Sequence, residues 1–551
     1  MKASRKKKER VTRFQQNLDL AIANYPHLRR YLEEISTKMP MPEYMTELSY
    51  SLKKKQDYFN IIYPVGDKLF VHVYKDQDGT KRYIVIEPRL DRRTTILLNK
   101  VLDRMIEIVH RLPLPKTDQD VELIIKKMLR QIVSIGSKAA RFFNFNKIVL
   151  TKEEYDIIEY YILRNLIGYS KLEPLFNDPY IEDIHCTGVG NLKLVHKIFG
   201  MMYTNIEFPD DLALNKYILE TSERVERPVS NSRPVVDAIM PDGSRVNFIY
   251  GREISREGSS FTVRKFTEVP LSVINLIDFN TFNEEIAAYL WLCIEAGMNI
   301  FVCGETASGK TTTLNALTVF ISPEKKVYSV ENTPEVNIPH ETWQHLVTRE
   351  AGKETDVDMF DLLLAALRSR PDYIIVGEIR GREGNVAFQA MQTGHPVIST
   401  FHAGSVHSMI QRLTGHPIDV PIAFIDNLNV VLIQQTVSVN NQLVRRVLTV
   451  SEIERYYDVE NKVVTRRVFT WDMFSDTFYF SGFHNSYILE KKIAPKLGID
   501  PTQIYDELFD RAKILRMLKE RGITNYYELW NYMKLFYQRG KSALIEALQR
   551  I

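Results

Sequence analysis

GETASGKTTT, Gly304 to Thr313, follows the apolar run Asn299-Ile300-Phe301-Val302-Cys303 and precedes Leu314-Asn315-Ala316-Leu317. The spacing is G-x-x-x-x-G-K-[ST], with Gly304, Gly309, Lys310 and Thr311 in the fixed places. Glycines let the backbone curl so that successive N–H groups face an anion. The helix that follows turns its positive end toward the same anion. A loop of this kind needs a strand before it and a helix after it, and both are legible here. Gly304, Thr306, Ala307, Ser308, Gly309, Lys310, Thr311 and Thr312 are therefore expected to cradle the phosphates of ATP. Lys310 would reach the β- and γ-phosphates, and the Thr311 hydroxyl would reach Mg²⁺. The loop alone does not choose among kinases, helicases, transporters and motors.

The chain has 551 residues, 44% hydrophobic and 26% charged, which predicts two or three domains with sizeable cores. A formal net charge of +3 gives no bulk field that would draw the protein to nucleic acid. Cys186, Cys293 and Cys303 form no C-x-x-C pair, which argues against a disulfide framework and a zinc site. No run of about 18 apolar residues predicts a transmembrane helix. The basic start, MKASRKKKER, lacks the apolar stretch of a secretory signal. These features together predict a cytoplasmic protein.

Residues 1–60 read as a charged helical extension with basic clusters at Arg5 to Arg10 and Lys53 to Lys55, either solvated helix faces or a docking arm for anionic lipid or an acidic partner. Residues 61–266 read as an α+β domain. Apolar–polar alternation over residues 60–90 surrounds a DQDG turn, residues 94–168 carry helical spacing, and strands return from Ile181 to Phe266. Residues 267–281 read as a linker. From Phe282 to residue 551 helix and strand alternate, the signature of a parallel-sheet α/β domain, followed by a helical part.

Ligands of such sheets sit at the carboxyl ends of the strands. Val327-Tyr328-Ser329-Val330 ends in Glu331-Asn332-Thr333-Pro334-Glu335, and Tyr373-Ile374-Ile375-Val376 ends in Gly377-Glu378. Glu378 is placed to hold Mg²⁺ or its water, and Glu331 and Glu335 are two carboxylates suited to orient a water or bind Mg²⁺. Arg368, Arg370, Arg380 and Arg382 crowd the same region and suit phosphate oxygens as well as ion pairs with Asp356, Asp358 and Asp361. His395 and His402 bracket the strand Val397-Ile398-Ser399-Thr400 as candidate γ-phosphate sensors.

The series GETASGKTTT, VENTPE, RPDYIIVGEIRG and TGHPVISTFHA resembles the secretion ATPase superfamily of type II secretion, type IV pili and conjugation-type secretion, with its Walker A loop, Asp box, glycine-glutamate Walker B and His box in order. The passages YIEDIHCTGVG, RPVVDAIMPDGSRV, GSSFTVRKF, ENTPEVNIPHETW and VFTWDMFSDTFYFSG resemble its archaeal branch, the group of the archaellum motor ATPases. The resemblance covers residues 150–551. It implies a homohexamer of subunits with a mobile N-terminal domain and a RecA-like ATPase domain. It also implies a polytopic membrane platform protein as partner, with the other proteins of a filament machine. By resemblance, Arg245 and Arg264 are the N-terminal-domain arginines that reach the nucleotide. The catalytic set it implies is Lys310, Glu331, Glu378, Arg245, Arg264, Arg380 and His402. Two departures stand out. Asn332 replaces the common aspartate of the Asp box, which by resemblance leaves Glu331 as the catalytic base or water positioner with Glu335 as the fallback, and the four-cysteine zinc motif of bacterial type II relatives is missing. The competing expectations are a DNA-translocating ATPase on the same core and a nucleotide-gated scaffold.

Overall fold

Asn60–Val65, Leu69–Lys75 and Lys81–Ile86 are strands whose alternate side chains are apolar on both faces, so each face needs a cover. Ile61, Tyr63, Val71 and Val73 pack into the main core of their unit. Ile62, Phe70 and Ile86 pack against Leu28 and Leu32 of the helix Pro26–Ile35. The structure is a computed structural model that describes residues 18–48, 52, 58–110, 118–136, 147–266, 269–349, 356–439 and 442–550. The basic clusters at Arg5 to Arg10 and Lys53 to Lys55, and the start of the expected linker, lie outside the described residues.

The chain divides into two units, Met1–Phe266 and Thr267–Ile551. The first is α+β. Its ten-stranded sheet begins at the short edge strand Glu43–Tyr44 and the three strands above, continuing through Gly200–Phe208, Gly190–His196, Ile181–Cys186, Ser260–Arg264 and Arg245–Ile249 to Val235–Ile239. The DQDG turn closes as read, with Asp76 N–H donating to Thr80 O at 2.8 Å. Helices Arg92–Val109, Asp118–Ile132 and Lys152–Leu166 share a separate apolar cluster.

The second unit is a RecA-like α/β domain. Its sheet strands are β1 (Ile300–Gly304), β2 (Val327–Glu331), β3 (Trp343–Val347), β4 (Tyr373–Ile379), β5 (Val397–Phe401), β6 (Val430–Val439), β7 (Gln442–Tyr457), β8 (Lys462–Asp472) and β9 (Thr477–Phe480). The order across the sheet is β3-β2-β4-β5-β1-β6-β7-β8-β9. Strands β1 to β6 pair in parallel, and β6 to β9 pair antiparallel. Every residue of β1 is buried, because helices cover both faces. Ile300 and Val302 face a core built with the helices Glu284–Glu295, Ile504–Glu520 and Tyr526–Arg550. Phe301 and Cys303 face one built with Met359–Arg368, Glu383–Gln392 and Val406–Thr414.

The linker expectation needs amendment. Within residues 267–281, Val273–Asp278 is a helix with a Ser272 capping box, and Val273, Ile274, Leu276 and Ile277 are buried in the second unit's core. A segment that buries four apolar side chains is part of the domain rather than a spacer. Residues 430–480 extend the sheet by the hairpins β6 to β9, and the helices Ile504–Glu520 and Tyr526–Arg550 follow them.

Candidate nucleotide site

Gly309 caps the phosphate-loop helix Lys310–Leu317 with φ of 91°, a left-handed conformation that glycine adopts without strain. The loop is held from its outer side by the antiparallel extension. Gln434 Nε2 of β6 donates to Ser308 O at 2.8 Å, and Gln434 Oε1 accepts from Thr313 Oγ1 at 2.8 Å. Arg445 Nε of β7 donates to Ala307 O at 3.1 Å, and Thr436 Oγ1 to the same carbonyl at 3.3 Å. Anchoring carbonyls outward leaves the intervening amides to face the anion.

Lys310 Nζ donates to Glu305 O at 2.9 Å. Burial lowers its pKa below the ordinary lysine value, while the nearby carboxylates of Glu378 and Glu335 push it up and the Arg380 guanidinium pushes it down. These four groups therefore share one electrostatic neighbourhood at the carboxyl edge of the sheet. Glu378 stands where the β4–β5 register shifts between Val376 and Ile379, an irregularity that re-aims a strand-tip side chain. Its Oε2 pairs with an Arg380 guanidinium nitrogen at 2.6 Å. Glu383 Oε1 accepts from the backbone N–H of Arg380 at 2.6 Å and of Gly381 at 2.7 Å, which fixes the turn carrying Arg380. Thr311 opens the phosphate-loop helix and Glu378 ends β4, and both carry oxygen donors, the ligand type that suits Mg²⁺ beside phosphate.

Glu331 behaves differently from its expected role. It is 2% exposed, and both carboxylate oxygens are taken. Oε1 accepts from Glu335 N at 3.0 Å and Val336 N at 2.9 Å, and Oε2 meets His345 Nε2 at 2.7 Å. His345 stacks on Trp343, ring centroids 4.9 Å apart, and Trp343 Nε1 donates to Ser329 Oγ at 2.8 Å. A Cβ on Gly377 would approach Glu331 Cγ to 2.9 Å, so glycine permits the close passage of β4 past this carboxylate. Glu331 thus holds the turn after β2, and Glu335, half-buried, brings its charge to Lys310 and Arg380.

His402 follows β5 at the carboxyl edge, with Nε2 at 3.1 Å from Thr306 Oγ1 of the phosphate loop. Its carbonyl accepts from Arg412, whose guanidinium lies over the Phe401 ring. His395 precedes β5, and Arg368 and Arg370 precede β4, so all three stand at the amino edge of a parallel sheet, away from the phosphate loop. His395 pairs with Thr393 Oγ1 at 3.1 Å. Arg382 pairs with Asp358 and lies over the Phe360 ring.

In the first unit, Arg245 and Arg264 are exposed and directly opposite each other on neighbouring antiparallel strands. Asp183 is the next partner beyond Arg264, and Asp237 Oδ1 lies 3.9 Å from Arg245. Like charges in register repel, and the flanking carboxylates offset this. Sequence reasoning missed Gln434, Thr436, Arg445, His345 and Asn315. The polar residues of 434–445 among apolar strand neighbours were the available signal for the first three.

The parallel sheet, the phosphate loop on β1 and the acidic tips of β2 and β4 define a P-loop ATPase core. The type II/IV secretion system protein family matches residues 170–467, and the chain belongs to that family. An uncharacterized protein of Methanocaldococcus jannaschii is 50% identical over 536 residues, covering 95% of this chain and 97% of its own. The type IV secretion system protein PtlH of Bordetella pertussis is 32% identical over 218 residues, 35% of this chain and 64% of that protein. Among solved structures, the VirB11 ATPase of the Brucella suis type IV secretion system, in complex with sulphate, is 25% identical over 51% of this chain and 94% of that chain, with a TM-score of 0.26. The pilus retraction motor PilT with bound ADP is 17% identical over 62% and 90%, with a TM-score of 0.37. No helix among the described residues is long and apolar enough to cross a membrane.

Proposed function

We propose that the protein is an ATP-hydrolysing motor that drives assembly of a type IV pilus-like filament, with the archaellum as the particular machine. The observation that supports the hydrolytic reading is the placing of the phosphate loop after β1 and of the Glu378–Arg380 pair, 2.6 Å apart, at the tip of β4, on the same edge of one parallel sheet. The loop amides and Lys310 bind the β- and γ-phosphates. Arg380 balances charge on the γ-phosphate. Glu335, rather than Glu331, orients the attacking water. The new bond forms from the water oxygen to the γ-phosphorus as the bond to the β–γ bridging oxygen breaks, and the water's proton passes to the Glu335 carboxylate. Phosphoryl transfer asks little else of a protein than positioning and charge. Mg²⁺, held by Thr311 and Glu378 when bound, supplies further charge neutralisation at the phosphates.

His402 reports the nucleotide state through Thr306. Arg245 and Arg264 close on the nucleotide and release it after hydrolysis, which converts phosphate state into domain movement. The working form is a homohexamer at the cytoplasmic face of the cell membrane, docked on a polytopic platform protein, with the basic N-terminal residues as a contact to anionic lipid. The archaellum assignment rests on the archaeal-branch passages quoted above. The net charge of +3 speaks against a DNA translocase, which needs a strongly basic track.

The test is ATP turnover by the purified chain alone, with anionic lipid vesicles, and with single-stranded DNA. Stimulation by vesicles and not by DNA is expected. Stimulation by DNA alone would replace this reading with the translocase. In cells, deleting the gene should abolish swimming while leaving other surface pili, and loss of pili with intact swimming would move the motor to a pilus system.

A further inference from the structure

Glu335 has no regular secondary structure to hold it: residues 332–335 form a bend and an irregular stretch after β2. A carboxylate that must place a water needs its backbone fixed to a fraction of an ångström. Glu331 fixes one side of that stretch, as described. The other side is fixed from an unexpected place, the phosphate-loop helix itself. Asn315 Nδ2 donates to Glu335 O at 2.8 Å, and Asn315 Oδ1 accepts from Asn337 N at 3.1 Å. Both ends of one side-chain amide are therefore spent on the peptides that flank Val336. Asn315 is 9% exposed.

The helical position of Asn315 matters. It lies four residues after Thr311, so the two share one face of the helix Lys310–Leu317. That helix begins at Lys310, beside the phosphates. One side-chain amide therefore joins that helix directly to the Glu335 peptide. Asparagine in a helix interior has lower intrinsic propensity than leucine or alanine, so helix formation does not favour it at a buried position between Leu314 and Ala316.

We propose that Asn315 is a positioning residue for hydrolysis, setting the distance between the phosphate-loop helix and the Glu335 carboxylate. This rests on the reading of Glu335 as the group that orients water. Asn315 touches neither nucleotide nor water; it acts through the Glu335 peptide.

The test uses the full-length chain and four variants: Asn315→Leu, which removes both contacts; Asn315→Asp, which keeps the acceptor for Asn337 N and sets an oxygen against Glu335 O; Glu335→Gln; and the double variant Asn315→Leu/Glu335→Gln. ATP turnover and ADP affinity are measured for each. Both Asn315 variants should lose about tenfold or more in kcat, with ADP affinity within about threefold of the parent. The double variant should turn over no more slowly than Glu335→Gln alone, because a positioning residue has nothing left to position. A double variant whose losses multiply, or Asn315 variants whose ADP affinity falls as far as kcat, would reduce Asn315 to a structural residue and overturn the proposal. Should Asn315→Leu fail to fold, Asn315→Asp, matched in size, carries the same comparison. Parental turnover in Glu335→Gln would instead overturn the reading of Glu335, so the two failures are distinguishable.

Discussion

His345 Nε2 lies 2.7 Å from Glu331 Oε2, on neighbouring parallel strands whose residues 331 and 347 are in register. The contact completes the coordination of a carboxylate that already accepts two backbone N–H groups. Glu331→Ala would leave those donors buried without an acceptor. At ~1–3 kcal/mol for each such group, a loss of about 3 kcal/mol is expected from denaturant unfolding. Glu331→Gln keeps an oxygen for the two amides and should cost less. Equal stability of Glu331→Ala and the parent would refute the structural role given to this residue.

The Thr306–His402 contact predicts a coupled pair. His402→Ala and Thr306→Val each remove the same hydrogen bond, worth about 1 kcal/mol net, so each should weaken ADP binding about fivefold. The double variant should be no weaker than either single one. Multiplying effects would mean that the two residues act on nucleotide separately.

Gln434 bridges the Ser308 carbonyl and the Thr313 hydroxyl across 121 residues or more of chain. Gln434→Leu keeps the volume and removes both bonds, which should lower ADP affinity about tenfold. Titration calorimetry measures it. Unchanged affinity would show that the loop holds its shape without the β6 anchor.

His72 supplies a pH prediction for the first unit. It is fully buried, with burial lowering its pKa to about 4. Tyr31 O–H donates to its Nδ1 at 2.7 Å, and its Nε2–H donates to Asn60 Oδ1 at 2.6 Å, which suits the neutral ring. A histidine whose folded pKa is depressed contributes its stability in full above the unfolded value near 6.5. That contribution is lost as pH falls toward about 4, amounting to about 3 kcal/mol at most. His72→Gln can accept from Tyr31 and donate to Asn60 without titrating. The variant should therefore lose less stability than the parent between pH 7 and pH 4, as read from unfolding transitions. Parallel losses would mean that His72 is not the titrating group.

The phosphate loop was legible because its chemistry fixes four positions within eight residues. Glu378 was legible because a parallel sheet gathers its strand tips at one edge. The same rule, applied to strand direction, separates His402 from His395 and Arg380 from Arg368 and Arg370, since residues before a strand sit at the opposite edge from residues after it. The choice between Glu331 and Glu335 was not legible: it turns on how four residues after β2 fold back onto their own strand, and on Asn315 sixteen residues upstream of Glu331. The anchors Gln434 and Arg445 were hidden for a related reason, as contacts across more than 120 residues leave no local pattern.

In the function proposed above, this chain hydrolyses ATP at the Lys310 site. The most direct measurement is phosphate release from ATP and Mg²⁺ by the full-length protein beside its Lys310→Ala variant, with circular dichroism to verify that both are folded. Turnover by the parent and its loss in the folded variant is the predicted result. Equal turnover by the two proteins would contradict the assignment of the site.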